Sequence, residues 1–127
     1  MAVTGRVLGT LPASDLARAK DFYTQNLGLK PVSETEEGLI YECNENTKIL
    51  LFPSSGRASG DHTQAVFEVD DLDAQVADMK GHGVVFEEYD LPGMKTENGI
   101  VTSGPIRSAF FKDSEGNLIA ISEPMPM

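Results

Sequence analysis

The chain has little of what marks several large classes of protein. It contains a single cysteine, Cys43, among its 127 residues, which excludes an intrachain disulfide framework and a zinc cluster built on cysteines. No apolar run approaches the roughly 18 residues that a helix needs to cross a bilayer. The first residues also lack the charged segment, long apolar stretch and cleavage site of a secretory signal. These absences predict a cytoplasmic protein with no redox requirement.

Basic residues are also scarce. Ten Lys and Arg residues stand against 20 Asp and Glu residues, which gives a formal net charge of −10. Nucleic acids and anionic membranes bind through basic patches, so the predicted partners include neither. An acidic surface keeps a protein soluble, and it would also favour a cationic small molecule at the mouth of a pocket. The size and the 40% hydrophobic content fit one compact domain, residues 1–127.

The two halves of the chain repeat one pattern. The pair Asp15-Leu16 recurs 56 residues later as Asp71-Leu72, and each pair opens a predicted helix that follows a strand and ends at a glycine. A repeat of this length predicts two copies of one structural module. The predicted modules are residues 1–52 and 62–127. The segment 53–61 is small, polar and glycine-containing, which is typical of a flexible linker.

Hydrophobic periodicity and turn residues place the elements of each module. In the first they are a strand Gly5–Leu11, a helix capped by Ser14 that runs to Asn26, and strands Lys30–Glu34, Leu39–Cys43 and Lys48–Phe52. The second module begins with a strand Thr63–Val69, a helix capped by Asp70 that runs to Lys80, and a strand Val84–Tyr89. An irregular segment follows, Asp90–Pro105, with one short strand near Ile100–Thr102. The module ends with strands Ile106–Lys112 and Leu118–Glu123. This order, about eight strands and two helices, predicts an α+β fold. A helix would cover one face of each sheet, and the opposite faces would line a cleft.

Three segments resemble the vicinal oxygen chelate superfamily, which contains glyoxalase I, the bleomycin-resistance proteins and the extradiol dioxygenases. They are SDLARAKDFYTQNLGLK (Ser14 to Lys30), VDDLDAQVADMKGHGV (Val69 to Val84) and FFKDSEGNLIAISE (Phe110 to Glu123). The resemblance implies two βαβββ modules in a partly closed barrel around a pocket between curved mixed sheets, usually in a homodimer. Whether the modules pair within one chain or swap across the dimer stays open.

The resemblance also implies four inward-facing positions that hold a divalent metal in enzymes of this superfamily. Carried over by motif, these positions are Leu8, Leu50, Gln64 and Ala120. Three of them have no side-chain donor, and the Gln64 amide is a weak one. Strand alternation puts Glu123 on the face opposite Ala120, so it does not replace the missing carboxylate. We therefore expect no metal and no other cofactor, which disfavours glyoxalase, epoxide-opening and dioxygenase chemistry.

Period-two alternation predicts the side chains that line the pocket. They are Thr10, Lys48, Leu50, Phe52, Gln64, Val66, Glu68, Arg107, Leu118, Ala120 and Ser122. Glu68 is a candidate general base or cation-binding group, or a strand-end residue that reaches solvent. Arg107 would pair with Glu68, hold a substrate carboxylate or lie exposed. Phe52, with Tyr41 and Phe110 as neighbours, would supply stacking surface for a flat ligand.

Other reactive residues carry weaker signals. His62 stands near Gln64, and a shift in register would offer it as a ligand, although a solvated loop histidine is the alternative. Cys43 lies between Glu42 and Glu45, whose charges would oppose formation of a thiolate.

The sequence therefore predicts a metal-free protein that binds a small organic molecule. The resemblance to the bleomycin-resistance branch implies sequestration of a drug or metabolite. One alternative is a lyase or isomerase that uses Gln64 with His62, or Glu68 as a metal-free base. Another is a regulatory domain with a degenerate pocket.

Overall fold

The computed structural model describes residues 8–44, 47–54, 62–92, 94–103 and 106–124. In chain order the elements are β1 (Gly9–Ala13), α1 (Leu16–Gln25), β2 (Pro31–Thr35), β3 (Gly38–Glu42), β4 (Lys48–Pro53), β5 (Thr63–Glu68), α2 (Leu72–Gly81), β6 (Asp90–Leu91), β7 (Met94–Glu97), β8 (Ile100–Ser103), β9 (Ile106–Lys112) and β10 (Leu118–Ser122). The start of the predicted first strand (5–7), Glu45 and most of the predicted linker (55–61) lie outside the described residues. Within them, no helix is long and apolar enough to span a membrane.

Each half of the chain builds its own sheet. The first sheet has the strand order β1-β4-β3-β2, and the second has the order β5-β10-β9-β8-β7-β6. In both, the first strand of the half pairs in parallel with the last, while the other neighbours are antiparallel. This topology confirms the α+β fold of two modules. Within the described residues the two sheets remain open at their edges rather than closing into a barrel.

The helix starts differ from the prediction by one residue. Asp15 and Asp71 are the N-caps, where we had expected Ser14 and Asp70. The Asp15 carboxylate accepts from the Arg18 amide at 3.0 Å, and the Asp71 carboxylate accepts from the Ala74 amide at 3.1 Å. Each bond satisfies an amide that the helix leaves without a partner. The two caps stand at equivalent positions of the repeat, so the repeat extends to helix capping.

The excursion at 90–103 is more regular than expected. It forms β6, β7 and β8, which extend the second sheet and bring the number of strands in the described part of the chain to ten. The predicted strand Val84–Tyr89 makes only an isolated bridge, between Phe86 and Phe111. The reason is that β8 occupies the edge of β9, with Val101 opposite Ser108. A tight turn at Asn98 and Gly99, both at positive φ, makes the hairpin of β7 and β8 possible.

One hydrophobic core lies on the helix-facing sides of both sheets. Its buried side chains come from both modules: Leu11, Ala13, Ala19, Tyr23, Leu39, Tyr41, Leu51, Leu72, Val76, Met79, Val84, Phe86, Ala109, Phe111, Ile119 and Ile121. Because they form a single cluster, α1 and α2 lie in a shared interior layer. The opposite sides of the two sheets are therefore directed away from this core.

A buried hydrogen-bond network connects the first module to the turn before β10. The Tyr23 hydroxyl donates to Asp113 at 2.8 Å, and the Asn117 side-chain amide donates both to Asp113 and to the Pro12 carbonyl. Burial, and then the charge of Asp113, raise the pKa of Tyr23 far above its ordinary value. The tyrosine therefore acts as a permanent donor that holds α1 against the second module.

Candidate functional site

We call the side of each sheet that faces away from its helix the open face. In the first sheet, Thr10 is aligned with Leu50, and Leu50 is aligned with Ile40 on β3. Aligned neighbours share a side of a sheet, and alternation adds Lys48 and Phe52 to that side. The predicted first-module residues therefore lie together on the open face. Leu50 and Phe52 are half-buried there, and Thr10 is exposed.

The second sheet has an equivalent open face. Val66 is aligned with Ala120, which is aligned with Phe110, and Glu68 is aligned with Ser122. Alternation adds Gln64 and Leu118 to the same side. Val66 is 45% exposed although it is a large apolar residue, whereas Ala120 and Ser122 are buried. An exposed valine among apolar neighbours is the kind of surface that ligands and protein partners cover.

Arg107 lies on the other side of the second sheet from the remaining predicted pocket residues of that sheet. It alternates with the buried residues Ala109 and Phe111, so it lies on the helix-facing side. Its guanidinium binds Asp73 of α2 at 2.6 Å, and its backbone amide donates to Glu123. The hydrogen bond from Arg107 lowers the pKa of Asp73. Arg107 therefore pairs with α2 and the end of β10, and not with Glu68.

Tyr41 also faces the core and not the open face. It is fully buried, and its ring stacks on Tyr23 with the centroids 5.3 Å apart. Burial, and then the charge of Glu34, raise the pKa of Tyr41 to about 12. Phe110 does lie on the open face, where it makes an edge contact with Tyr89 at 6.0 Å. Of the two predicted aromatic neighbours, Phe110 therefore lies on an open face and Tyr41 does not.

The four positions that resemble metal ligands do not fit a metal. Leu8, Leu50 and Ala120 offer no oxygen, nitrogen or sulfur on their side chains, and a hard or borderline cation needs several such donors. Within the described ranges, no group of three His, Cys, Asp or Glu side chains has the arrangement needed to hold a metal ion. Glu123, the nearest carboxylate in sequence to Ala120, is engaged with Arg107 on the other side of the sheet.

Two polar atoms of the second open face are buried without a partner. None of the described residues makes a hydrogen bond to Gln64 Oε1 or to Ser122 Oγ. A buried polar atom without a partner costs about 1–3 kcal/mol. Because both atoms are closed off from solvent, a bound molecule would recover this free energy only if the side chain turned to present its polar atom at the surface. The sequence indicated both residues by alternation, but not that their polar atoms lack partners, because that depends on the packing around them.

Glu68 lies where the open face meets an acidic depression. A cavity of about 540 Å³ is lined by carboxylates from the end of β5, from the connection that follows it and from α2, with Asn44 from the first module. Its acidic residues are Glu68, Asp70, Asp71 and Asp78. Four carboxylates at one end of the face favour a positively charged group there.

Three other reactive residues remain: Cys43, His62 and His82. Burial, and then the charge of Glu42, raise the pKa of the Cys43 thiol, which disfavours the thiolate. His82 is exposed at the end of α2, with Nδ1 2.8 Å from the Asp78 carbonyl. His62 is exposed immediately before β5. Ile40 and Ser108 are half-buried residues of the open faces that the sequence did not indicate, because they emerge only from the pairing register.

Several solved structures share this architecture. The chain is 23% identical to TnmS3, an antibiotic binding protein from a Streptomyces species, over 98% of this chain and 99% of that one, with a TM-score of 0.62. It is 15% identical to the fosfomycin resistance protein FosX from Listeria monocytogenes, over 98% and 96%, with a TM-score of 0.70. It is 21% identical to a lactoylglutathione lyase from Agrobacterium tumefaciens, over 97% and 96%, with a TM-score of 0.66.

No curated protein sequence matches the chain. A family model does match it, across residues 5–121, which is nearly the whole length. The matched region covers most of both modules and includes both aspartate-capped helices. By this match the chain belongs to the Glyoxalase/Bleomycin resistance protein/Dioxygenase superfamily.

Proposed function

We propose that this protein binds a small organic molecule on its open faces without a metal, and that it sequesters a drug or metabolite. The observation that carries the proposal is the replacement of metal ligands by an apolar surface with unpartnered hydrogen-bonding groups. Leu8, Leu50 and Ala120 occupy three of the four positions. The fourth is Gln64, whose side-chain oxygen is buried without a partner among the described residues. Such a surface suits a neutral or cationic organic ligand better than a cation alone.

The geometry of the open faces indicates the kind of ligand. Phe52 and Phe110 offer aromatic surface for a flat ring system. Gln64 and Ser122 would supply hydrogen bonds once their side chains turn towards the ligand. Glu68, at the edge of the acidic depression, would attract a cationic substituent. The antibiotic-binding TnmS3 has the same fold, and it suggests that this scaffold can serve for sequestration.

We further propose that a second copy of the chain completes the cleft. The helix-facing sides of both sheets share one core, so the two open faces of a chain are directed away from each other. Pairing the first module of one chain with the second module of another would bring Leu50 and Gln64 to one cavity and cover Val66. Sedimentation equilibrium should give twice the chain mass of 13.7 kDa. A monomer at all concentrations would contradict this assembly.

A fluorescence titration with berberine, a flat aromatic cation, tests the ligand site. Phe52→Ala should weaken binding at least about fivefold, because a stacked aromatic contributes about 1 kcal/mol beyond its buried area. Glu68→Gln should weaken it less, by removing one negative charge. Val85→Ala, at an 80% exposed valine outside both sheets, is the control for the first variant, and Glu36→Gln, in an exposed turn, is the control for the second. Unchanged affinity in both Phe52→Ala and Glu68→Gln would contradict the placement of the site.

Elemental analysis tests the absence of a metal. The protein is stripped with a chelator, offered nickel, zinc, manganese and iron in turn, and separated from free ions. No retention is expected, because three of the four positions lack donors. Retention of one metal near one equivalent per chain would contradict the proposal.

An enzyme is the second candidate, favoured by the position of Glu68 on an open face beside Ser122. A carboxylate there could remove a proton from a bound substrate without a metal. The assay is turnover of the hemithioacetal of methylglyoxal and glutathione, with and without each metal. Turnover that Glu68→Gln abolishes would identify an enzyme. The third candidate, a regulatory domain, calls for a filled, solvent-free cleft in the assembled protein.

A further inference from the structure

A groove on the helix-facing side of the second module plays no part in the proposed ligand site. It lies between α2 and the strands β7, β8 and β9 and has a volume of about 670 Å³, which is within the usual range for small-molecule sites. Asp73, Val76, Ala77 and Lys80 line one wall, at the spacing that places residues on one side of a helix. The groove exists because the hairpin of β7 and β8 extends the sheet beyond the helix.

The floor of the groove is apolar and its rim is charged. Val76 is buried and Ile100 is half-buried at the floor. Three of the eight Lys and Arg residues that the structure describes lie around it: Lys80, Lys95 and Arg107. Two carboxylates, Asp73 and Glu97, lie there as well. The lining therefore carries a net positive charge in a chain whose net charge is −10.

Two of the three cations are held in place, and the third is available. Arg107 binds Asp73 at 2.6 Å and closes one part of the rim. Lys80 Nζ donates to the Asn98 carbonyl at 3.1 Å and ties the end of α2 to the β7–β8 turn. Lys95 is exposed on β7, and no ion pair or hydrogen bond joins its ammonium group to any described residue. An ammonium group beside an apolar floor is suited to a ligand with a negatively charged head group and an apolar body.

We propose that this groove is a second binding site, which takes a small amphipathic monocarboxylate. The apolar body of the ligand lies on Val76 and Ile100, and its carboxylate pairs with Lys95. Asp73 and Glu97 would repel a polyanion such as a nucleotide triphosphate, so a single negative charge is the best match. The site lies across the second sheet from the open face, and it does not depend on the function proposed for that face.

Titration of the ¹⁵N-labelled protein with sodium octanoate, followed by amide chemical shifts, tests the site. The chemical-shift changes should concentrate at Val76, Ala77, Lys95 and Ile100. The affinity for octanoate should fall with added salt, which screens the charge of Lys95. The uncharged 1-octanol should bind more weakly than octanoate because it lacks the carboxylate. Shifts confined to open-face residues such as Val66, or equal binding of octanol, would contradict the proposal.

Two pairs of variants separate the groove from general effects. Lys95→Glu should weaken octanoate binding about tenfold, whereas Lys30→Glu changes the net charge equally at an exposed lysine of the first module and should leave it unchanged. Ala77→Phe should block the groove, and Ala17→Phe, at an exposed alanine of α1, is its control. If Lys95→Glu and Lys30→Glu weaken binding equally, net charge alone explains the effect and the site is contradicted. Berberine binding reports separately on the open face.

Discussion

The two helices start in the same way but are held by different means. Both are ten residues long and both begin after an aspartate that caps the first turn, 56 residues apart. At the equivalent third-turn position, however, α1 has Tyr23 and α2 has Met79. Tyr23 donates a buried hydrogen bond to Asp113 in the other module, whereas Met79 is buried in the hydrophobic core. The repeat thus fixes where each helix begins, and residues that differ between the copies join the modules.

Removing Asp113, the buried hydrogen-bond acceptor that anchors α1, should cause the largest loss of stability. Asp113 is buried and accepts hydrogen bonds from Tyr23, from Glu115 and from Asn117. Asp113→Ala leaves these donors without their acceptor and should lower the free energy of unfolding by about 4 kcal/mol. Urea denaturation measures the loss. If the variant does not fold, Tyr23→Phe, which removes one hydroxyl, should lower it by about 1–2 kcal/mol.

Removing the apolar anchor of α2 should cost somewhat less. Met79 is 3% exposed within the shared core. Met79→Ala should lower the free energy of unfolding by about 3 kcal/mol, through lost burial and the cavity that remains. Ala77→Gly, on the exposed side of the same helix, controls for helix propensity and should cost about 1 kcal/mol. A loss in Met79→Ala no greater than in this control would show that the core does not hold α2.

Glu115 should provide a pH-dependent part of the anchor of α1. Its side chain is 1% exposed and lies 2.7 Å from the Arg18 guanidinium. Burial alone would raise its pKa, but the hydrogen bonds from Arg18, the Asp15 amide and Ser114 outweigh burial and lower it to about 2. Glu115→Ala should lower the free energy of unfolding by about 2 kcal/mol at neutral pH.

The pH dependence has a definite direction. Because folding lowers the pKa of Glu115 from its ordinary value of 4.5 to about 2, the ionised carboxylate stabilises the folded state above pH 4.5. That stabilisation is lost as the pH falls from there towards 2. The difference between wild type and Glu115→Ala should therefore shrink over this range. A difference that is constant down to pH 3, or that also appears in Glu36→Ala at an exposed turn residue, would contradict the assignment.

Removing either of the equivalent helix caps should cause the smallest loss of stability, and the two losses should be similar. Asp71→Ala should lower the free energy of unfolding by about 1 kcal/mol, which is typical for loss of an N-cap. Asp15→Ala should cost a similar amount, since its carboxylate makes the equivalent bond to the third helical residue. Thermal or urea unfolding of both variants measures the comparison. Costs that differ by more than the measurement error would show that the caps are not equivalent.

The sequence predicted the two modules and both helices because those features depend on local patterns. The caps were displaced by one residue because both residues of each pair, Ser14-Asp15 and Asp70-Asp71, can cap a helix. In α1 the Ser14 hydroxyl donates instead to Glu115, a contact distant in sequence that local patterns do not reveal. The strands β6 and β7 were missed because they are short and lie among turn residues that indicate irregular chain.

The candidate site was predicted only where strand alternation was enough. Thr10, Leu50, Val66 and Ala120 share the open faces as expected, since each lies within a regular strand. The position of Arg107 depends on the register of β9, and its ion pair with Asp73 depends on how α2 packs. The charged groove was not predicted because it exists only through the hairpin of β7 and β8.

The shared core on the helix-facing side divides the substitutions in this chain into two classes with different costs in stability. Substitutions at Leu11, Tyr23 or Phe111 change residues that hold both modules together. Substitutions at Thr10 or Val66 alter side chains that already contact solvent, so they should cost little in folding free energy. The framework therefore tolerates changes on its open faces that it would not tolerate in its core.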